Sequence, residues 1–353
     1  MKKIPVGILG ATGVVGQRFL LQLHAHPWFE PVWLAASDRS TGKLYREAAA
    51  WRLAEPLPER MSTQELRPPR PGDCPARVIF SALDAAIAAE LEPAFAAAGH
   101  MVISNSSALR MHPAVPLLIP EINPDHLELL TRQKQLEWGR RGGGIVTNPN
   151  CSTAGLALAL APLERAFGLR KVMVTTMQAV SGAGYPGVAS LDILGNVVPY
   201  IGGEEDKIER EPQKILGRLE ADGVAAADFQ ISAACNRVPV EDGHLESVSL
   251  DLRRPASREE ILAAWQSFHG RPQELRLPAA PAQVVEYLEA ADRPQPRLDR
   301  NRNAGMSTLI GRLRPCPVLG WKFTLLSHNT LRGAAGAALL NAELMREMGY
   351  LER

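Results

Sequence analysis

The stretch NPNCSTAG (148–155) sets Cys151 behind an asparagine and runs straight into LALALAPLERAF, an apolar segment of helical character. A thiol placed where an extended segment enters a helix meets unpaired backbone N–H groups and the positive end of the helix dipole. Both favour the thiolate, so the placement points to a nucleophile rather than a packing cysteine. Such a thiolate needs a proton partner. Among eight histidines, His244 in NRVPVEDGHLES stands out, because it follows a glycine-containing turn that is expected to expose its ring. Arg237, seven residues earlier, offers a planar fork suited to a carboxylate. In GEEDKIERE (203–211), Glu204 and Lys207 stand three apart and can share a helix face, an anion for an ammonium and a cation for a phosphate. Taken alone, His244 and Arg237 read more readily as a surface-turn histidine and a surface arginine, and Glu204 and Lys207 as part of a charged helix face.

Positioning these groups takes two kinds of scaffold. IPVGIL (4–9) has the length of a strand, GATGVVG follows, and QRFLLQLHAH has helical apolar spacing. Strand, glycine turn and helix form the context of a dinucleotide-binding loop. Gly10 would allow the tight turn and Gly13 a close backbone approach to pyrophosphate. Gly16 would allow helix–sheet packing, while N–H groups at Thr12, Gly13, Val14 and Val15 face the phosphates. The next strand-like run, PVWLAAS, ends in SDRSTGK, where such a fold meets the adenosine ribose. Ser37, Arg39 and Ser40 favour a 2′-phosphate and hence NADP, whereas Asp38 is the residue type more usual for NAD. RVIFSALD and HMVISNSS repeat the strand pattern around a helical AAIAAELEPAFAAAG, and GGGIVTN leads to Cys151. This alternation predicts a doubly wound parallel sheet over residues 1–150, with Ser81, Ala82 and Leu83 bordering the cofactor crevice and the thiol at its mouth.

From residue 170 the texture changes to long β-like runs, namely KVMVTTMQAVSGAG, FQISAACN, ESVSLDLR, STLIGRLR and WKFTLLS. They predict an α+β catalytic and dimerisation domain over 151–328 with a mostly antiparallel sheet. EAADRPQPRLDRNRNAG (289–305) reads as a long surface excursion. The closing helical segment, 329–353, is expected to pack back onto the first domain through Gly333, Ala334, Ala335 and Gly336.

Bulk properties exclude several function classes. The 353 residues carry a net charge of +1, which argues against nucleic-acid and membrane partners. The four cysteines have no zinc spacing and no metal site is expected; reduced thiols and a cytoplasmic location follow from the absence of a secretion signal. The opening MKK and apolar run imitate a signal peptide, but four glycines break that run.

Taken together, GATGVVGQ, SNSSALRM, PEINPDHL, TNPNCSTAG, TTMQAVSGAGYPGVASLDIL, GEEDK, CNRVPVEDGHLES, RPQPRLD and LLSHNTLRGAAG closely resemble the aspartate-semialdehyde dehydrogenase family, in its archaeal and fungal branch. The resemblance spans essentially the whole chain. It implies NADP-dependent interconversion of L-aspartyl 4-phosphate and L-aspartate 4-semialdehyde, on the route to lysine through diaminopimelate and to threonine, methionine and isoleucine. It further implies Cys151 as the nucleophile forming a thioester, and His244 as acceptor of the thiohemiacetal proton. Arg237 is implied for the substrate carboxylate, Glu204 for its ammonium, Arg110, Lys207 and Asn150 for phosphate, and Gln178 for orienting the acyl group. Ser181, Gly182 and Asn329 correspond to positions near the nicotinamide. Helix-start N–H groups after Cys151 are expected to stabilise the oxyanion. A homodimer or a dimer of dimers is implied, with the second domain's sheet supplying the interface.

Two other readings stand beside it. A malonyl-CoA reductase shares the fold and the cysteine chemistry but would alter Asn150 and the GEEDK residues. A non-catalytic dinucleotide-binding regulator would have lost the thiol, the base or the carboxylate-binding arginine, and none is lost. N-acetylglutamyl-phosphate reductase fits these motifs much less well. STAG in place of the commoner STTG is the main departure near the thiol, and alanine suits a helix there.

Overall fold

A computed structural model describes residues 2–351, which divide into two compact units. The first takes the described residues up to Leu118, Asp125–Asn148 and the described residues from Ala338 onward; the second takes Ile119–Pro124 and Pro149–Ala337.

In the first unit the apolar runs become β1 (Ile4–Leu9), β2 (Phe29–Ala35), β3 (Leu66–Arg67), β4 (Val78–Ser81), β5 (Met101–Ser104) and β6 (Gly144–Thr147). They form one sheet in the order β3-β2-β1-β4-β5-β6, parallel at every pairing. β4, β5 and β6 are buried along their whole length, as strands covered on both faces must be. Strand order reverses between β1 and β4, which makes the carboxyl ends of those strands the natural ligand crevice. The loop leaving β1 is dictated by backbone proximity. Gly10 has φ +74°, and a Cβ there would lie 2.6 Å from the Ala82 carbonyl oxygen. The helix Val14–His24 buries Gly16, Phe19, Leu20 and Leu23, and the Phe19 ring packs tilted against Phe80 of β4 with centroids 5.0 Å apart. A Cβ on Gly16 would fall 2.3 Å from the Gly10 carbonyl oxygen, so the first helical turn can lie on the loop only as glycine.

The second unit contains β7 (Leu169–Gln178), a hairpin of β8 (Arg218–Glu220) and β9 (Gly223–Ala225), then β10 (Gln230–Arg237), β11 (His244–Leu252), β12 (Val285–Leu288), β13 (Thr308–Cys316) and β14 (Gly320–Ser327). Its six-stranded sheet runs β10-β7-β11-β14-β13-β12. The three inner pairings are antiparallel, whereas β10 with β7 and β12 with β13 are parallel, so the sheet is mixed at both edges. Crossovers explain this: β7 reaches β10 through the helix Glu204–Ile215, and β12 reaches β13 through 289–305, and such connections return strands parallel. Apolar runs reveal strands but not their direction.

The stretch 289–305 departs from a free surface excursion. Asp299 is fully buried and accepts from the Gln295 N–H at 2.7 Å and from Arg293 Nε at 2.6 Å, which ties the segment into a short helix, Pro296–Asp299. The helix Cys151–Phe167 is buried almost all round, and Gly155 lets it lie against β14, where a Cβ would meet Ser327 Cβ at 2.5 Å. After β14 a π-helical turn, Leu331–Ala335, leads into the helix Gly336–Glu347. Cβ atoms on Gly333 and Gly336 would lie 2.7 Å from Cys151 Cβ and 2.4 Å from Met306 Sδ, so both glycines serve close packing within the second unit.

Substituting Gly16→Ala should destabilise the fold by about 1–3 kcal/mol, because the loop backbone must move to admit the methyl group. Denaturant unfolding checks this; an unchanged midpoint at unchanged slope would show that the loop yields without cost.

Candidate active site

The start of the helix Cys151–Phe167 is built by one side chain. Asn150 is its N-cap, accepting from the Ser152 N–H at 2.9 Å and the Thr153 N–H at 3.2 Å through Oδ1. The Ala154 N–H is taken by the Asn150 carbonyl. The helix-start N–H groups expected to remain open for an oxyanion are therefore already satisfied, because an asparagine immediately before the thiol is among the strongest N-caps. Asn150 Nδ2 donates to Glu204 Oε1 at 2.7 Å, and its backbone N–H donates to Glu211 Oε2 at 2.6 Å. Lys207 Nζ donates to the second Glu204 oxygen at 3.0 Å. The helix Glu204–Ile215 thus presents Glu204, Lys207 and Glu211 along one face toward the residue before the thiol.

Cys151 Sγ lies 3.2 Å from His244 Nε2. Here the structure corrects the expectation of an exposed ring: His244 is fully buried. It is the first residue of β11 rather than part of the turn, and alternation along the strand puts it with Glu246, Val248 and Leu250 on the covered face. Burial, then the positive charge of Arg237 and His328, outweigh the carboxylate of Asp242 and push its pKa down to about 3. Glu246, buried with the negative charge of Glu204 nearby, is pushed well above the usual carboxylate range.

Two strand ends carry the remaining groups. Gln178 ends β7 and Arg237 ends β10, paired in register, and both are buried. Gln178 Nε2 donates to Thr176 Oγ1 at 3.3 Å. The peptide of Ala179 then does two things at once. Its N–H donates to His244 Nδ1 at 3.0 Å, and its carbonyl accepts from Arg237 Nη1 at 2.8 Å. Burial lowers the Arg237 pKa, opposed by negative charge on Cys151 and Glu204, which places the guanidinium within electrostatic reach of the sulfur. Gly182 lies over this pair; a Cβ there would be 2.8 Å from Arg237 Nη1 and 3.1 Å from His244 Cε1. Asn329 braces the surrounding loops, donating to Ser181 Oγ at 2.8 Å and accepting from the Gly243 N–H at 2.8 Å.

Sequence reading missed Ala179 and Glu211, and assigned Gly333 to packing on the first domain, whereas it lies against Cys151. Glu211 had a signal, since it stands seven residues after Glu204 on the same helical face. Ala179 acts only through its backbone, which no residue type reveals.

The first unit holds the other candidates. Gly10, Thr12, Gly13, Val14 and Val15 form the loop and helix start, where among the described residues there is neither a side-chain cap nor an acid in the first turn. A Cβ on Gly13 would meet nothing nearer than the Gly10 oxygen at 3.5 Å. The Gly13 N–H, expected to face the phosphates, instead donates to the Gly10 carbonyl at 3.1 Å, so the fit to a dinucleotide pyrophosphate rests on the helix N–H groups after Gly13, the uncompensated dipole and a bare glycine. Ser37 and Arg39 are exposed just after β2, and the Ser40 N–H closes a turn on the Ser37 carbonyl at 2.9 Å. Ser81 ends β4, the Ala82 N–H donates to the Leu9 carbonyl at 3.0 Å, and Leu83 packs on the core of the sheet. Arg110 is buried, with Nη2 donating to the Asn105 carbonyl at 2.7 Å.

Comparison with known proteins identifies the family. Residues 5–130 match the family of the semialdehyde dehydrogenase NAD binding domain, and residues 160–332 match that of the semialdehyde dehydrogenase dimerisation domain. The chain is 51% identical over 342 residues to an aspartate-semialdehyde dehydrogenase of Archaeoglobus fulgidus, covering 96% of this chain and 97% of that one. It is 47% identical to one from Cryptococcus neoformans, covering 99% of each. The solved aspartate semialdehyde dehydrogenase of Candida albicans with NADP superposes with a TM-score of 0.90 at 41% identity, covering 99% of this chain and 100% of that one. Aspartate semialdehyde dehydrogenase II of Vibrio cholerae, complexed with ASA, gives 0.76 at 26% identity, covering 98% and 99%. The chain therefore belongs to the aspartate-semialdehyde dehydrogenase family of oxidoreductases, with its archaeal and fungal members.

Proposed function

We propose that the protein catalyses the NADP-dependent reversible reductive dephosphorylation of L-aspartyl 4-phosphate to L-aspartate 4-semialdehyde through a thioester on Cys151. The observation that carries this reading is the 3.2 Å contact between Cys151 Sγ and His244 Nε2, with Arg237 held by the same peptide as the imidazole. The helix dipole and the Arg237 charge favour a thiolate that can attack the acyl carbon. Arg237 takes the substrate carboxylate, since its planar fork has one nitrogen anchored on Ala179 and others still to place. Glu204 takes the ammonium and Lys207 the phosphate. Asn150 keeps one Nδ2 hydrogen for phosphate while its oxygen caps the helix. Gln178 orients the acyl group from the end of β7. The resemblance carries a phosphate role to Arg110 as well, and positions near the nicotinamide to Ser181, Gly182 and Asn329.

NADP supplies the two-electron acceptor or donor. Residues 1–150 form the domain that holds it in this reading, with the helix start after Gly13 taking the pyrophosphate. Arg39, exposed between Ser37 and Ser40, takes the 2′-phosphate that distinguishes NADP from NAD. Residues 151–328 form the catalytic and dimerisation domain. The assembly is a homodimer or a dimer of dimers, supported by exposed apolar side chains at Tyr185, Leu191, Leu194 and Tyr200. The pathway place is the cytoplasmic step toward lysine and diaminopimelate, threonine, methionine and isoleucine.

Purified protein given aspartate semialdehyde, NADP and phosphate should form NADPH. Omitting phosphate, replacing NADP by NAD, or substituting Cys151→Ala should each cut the rate, the last to background. NADPH formation by the alanine variant would remove the nucleophile assignment, and activity confined to malonyl-CoA would replace the substrate. For Arg237→Ala, kcat/KM for the semialdehyde should fall roughly 30- to 160-fold, about 2–3 kcal/mol for a lost charge-assisted pair. An unchanged value would show that Arg237 only supports the fold.

A further inference from the structure

Two motifs of the sequence meet away from the reacting groups. PEINPDHL (120–127) supplies Glu121 and LLSHNTLRGAAG (325–336) supplies Arg332, and both side chains are buried. Arg332 Nη1 donates to Glu121 Oε1 at 2.8 Å and Nη2 to Oε2 at 2.6 Å, a bidentate fork that fixes direction as well as distance. Both residues belong to the second unit, Glu121 through the short stretch Ile119–Pro124.

Each partner is also tied to the nucleophile helix, at opposite ends of it. Arg332 lies in the π-helical turn Leu331–Ala335, and the next residue, Gly333, rests on Cys151. A Cβ on Gly333 would be 2.7 Å from Cys151 Cβ and 2.8 Å from its Cα. The Gly333 N–H donates to the His328 carbonyl at 3.0 Å and the Ala335 N–H to the Thr330 carbonyl at 3.1 Å, which gives the turn its wide spacing. Turns of this kind recur at functional sites. Toward the other end of the helix, Arg165 Nη2 donates to the Ile122 carbonyl at 2.8 Å and to the Glu121 carbonyl at 3.4 Å. Gly270 closes on the same backbone, since a Cβ there would lie 2.5 Å from Glu121 Cα. Glu121 is therefore held against the last turns of the helix Cys151–Phe167, and Arg332 carries that hold to its first residue. We propose that the Glu121–Arg332 pair is a positioning device for the nucleophile: it keeps Gly333 against Cys151 and so keeps the sulfur 3.2 Å from His244 Nε2.

This rests on the thioester function proposed above and adds to it two residues that act through Gly333. Energetics favour placement over stability as the role of the pair. Taking two charges out of water offsets most of their attraction, and apolar residues of similar volume often serve stability as well. What apolar residues cannot reproduce is the fork, which admits one direction of approach. Gly333 matters because it brings bare backbone against the thiol residue and closes one side of it. A shift of about 1 Å in the turn would open that side, and misplacement on that scale costs on the order of 10²-fold in rate.

Variants of the whole enzyme test this. Removing one partner alone would leave a buried charge unpaired and unfold the protein for reasons unrelated to catalysis. Glu121→Met/Arg332→Met removes both charges at similar volume. It should keep NADP affinity and the KM for aspartate semialdehyde within about twofold of wild type, while kcat falls roughly 10- to 100-fold. Arg332→Lys keeps a charge opposite Glu121 but loses the fork, and should lower kcat by about tenfold with KM unchanged. It decides the matter if the double variant does not fold. Wild-type kcat in the folded double variant or in Arg332→Lys would overturn the proposal and leave the pair a structural role; so would a fall in kcat matched by an equal loss of NADP affinity. Gly333→Ala tests the link. Its loss in kcat and that of Arg332→Lys act through one contact, so together they should give less than their product. A full product would overturn the route through Gly333. Wild-type enzyme without phosphate-dependent NADPH formation would fail the proposed function instead, so the two failures are distinguishable.

Discussion

The peptide group of Ala179 is the contact on which the site's geometry turns. It follows the last residue of β7, at the point where the chain leaves the sheet, so its plane is set by a strand paired on both sides. From that plane the N–H reaches His244 at the start of β11 and the carbonyl reaches Arg237 at the end of β10. Three adjacent strands thereby place an imidazole and a guanidinium in one fixed relation, with no long side chain left to choose its own rotamer. Gly182 is part of the same constraint, since any larger residue would press on both groups.

A second fixed relation joins two helices. Asn150 closes the first turn of the nucleophile helix with its oxygen and reaches Glu204 with its amide nitrogen, while its own N–H is held by Glu211. A change at Asn150 would release the cap and also leave one buried carboxylate oxygen, on Glu204, short of a donor, a cost greater than a lost surface contact, while its backbone N–H would still serve Glu211. Gly333 adds steric closure from the opposite direction by packing on Cys151. The sulfur is consequently bounded by a cap, a glycine and an imidazole rather than by a flexible loop.

Much of this was legible in the sequence where spacing speaks for itself. The boundaries of β1 coincide with IPVGIL, because six apolar residues ended by a glycine turn leave little choice. The thiol at a helix start followed from Asn150 and the apolar run after it. What stayed hidden depends on partners distant in the chain. The burial of His244 could not be read from a glycine-containing turn, because it arises from which face of β11 the covering helix chooses. The capping role of Asn150 was legible in principle, since asparagine before a helix is a cap; its link to Glu204 spans 54 residues and was not. Parallel edges in the second sheet were hidden for the same reason, as strand direction is a property of the connections.

The account's central claim is that Cys151 is held as a thiolate by the helix start and Arg237, with the imidazole of His244 at 3.2 Å. The pH dependence of its alkylation by iodoacetamide tests this most directly, read as inactivation with the Cys151→Ala protein correcting for other thiols. The account predicts that reactivity reaches its plateau well below the ordinary cysteine pKa of about 8.5. A rate that climbs only through that ordinary range would contradict it.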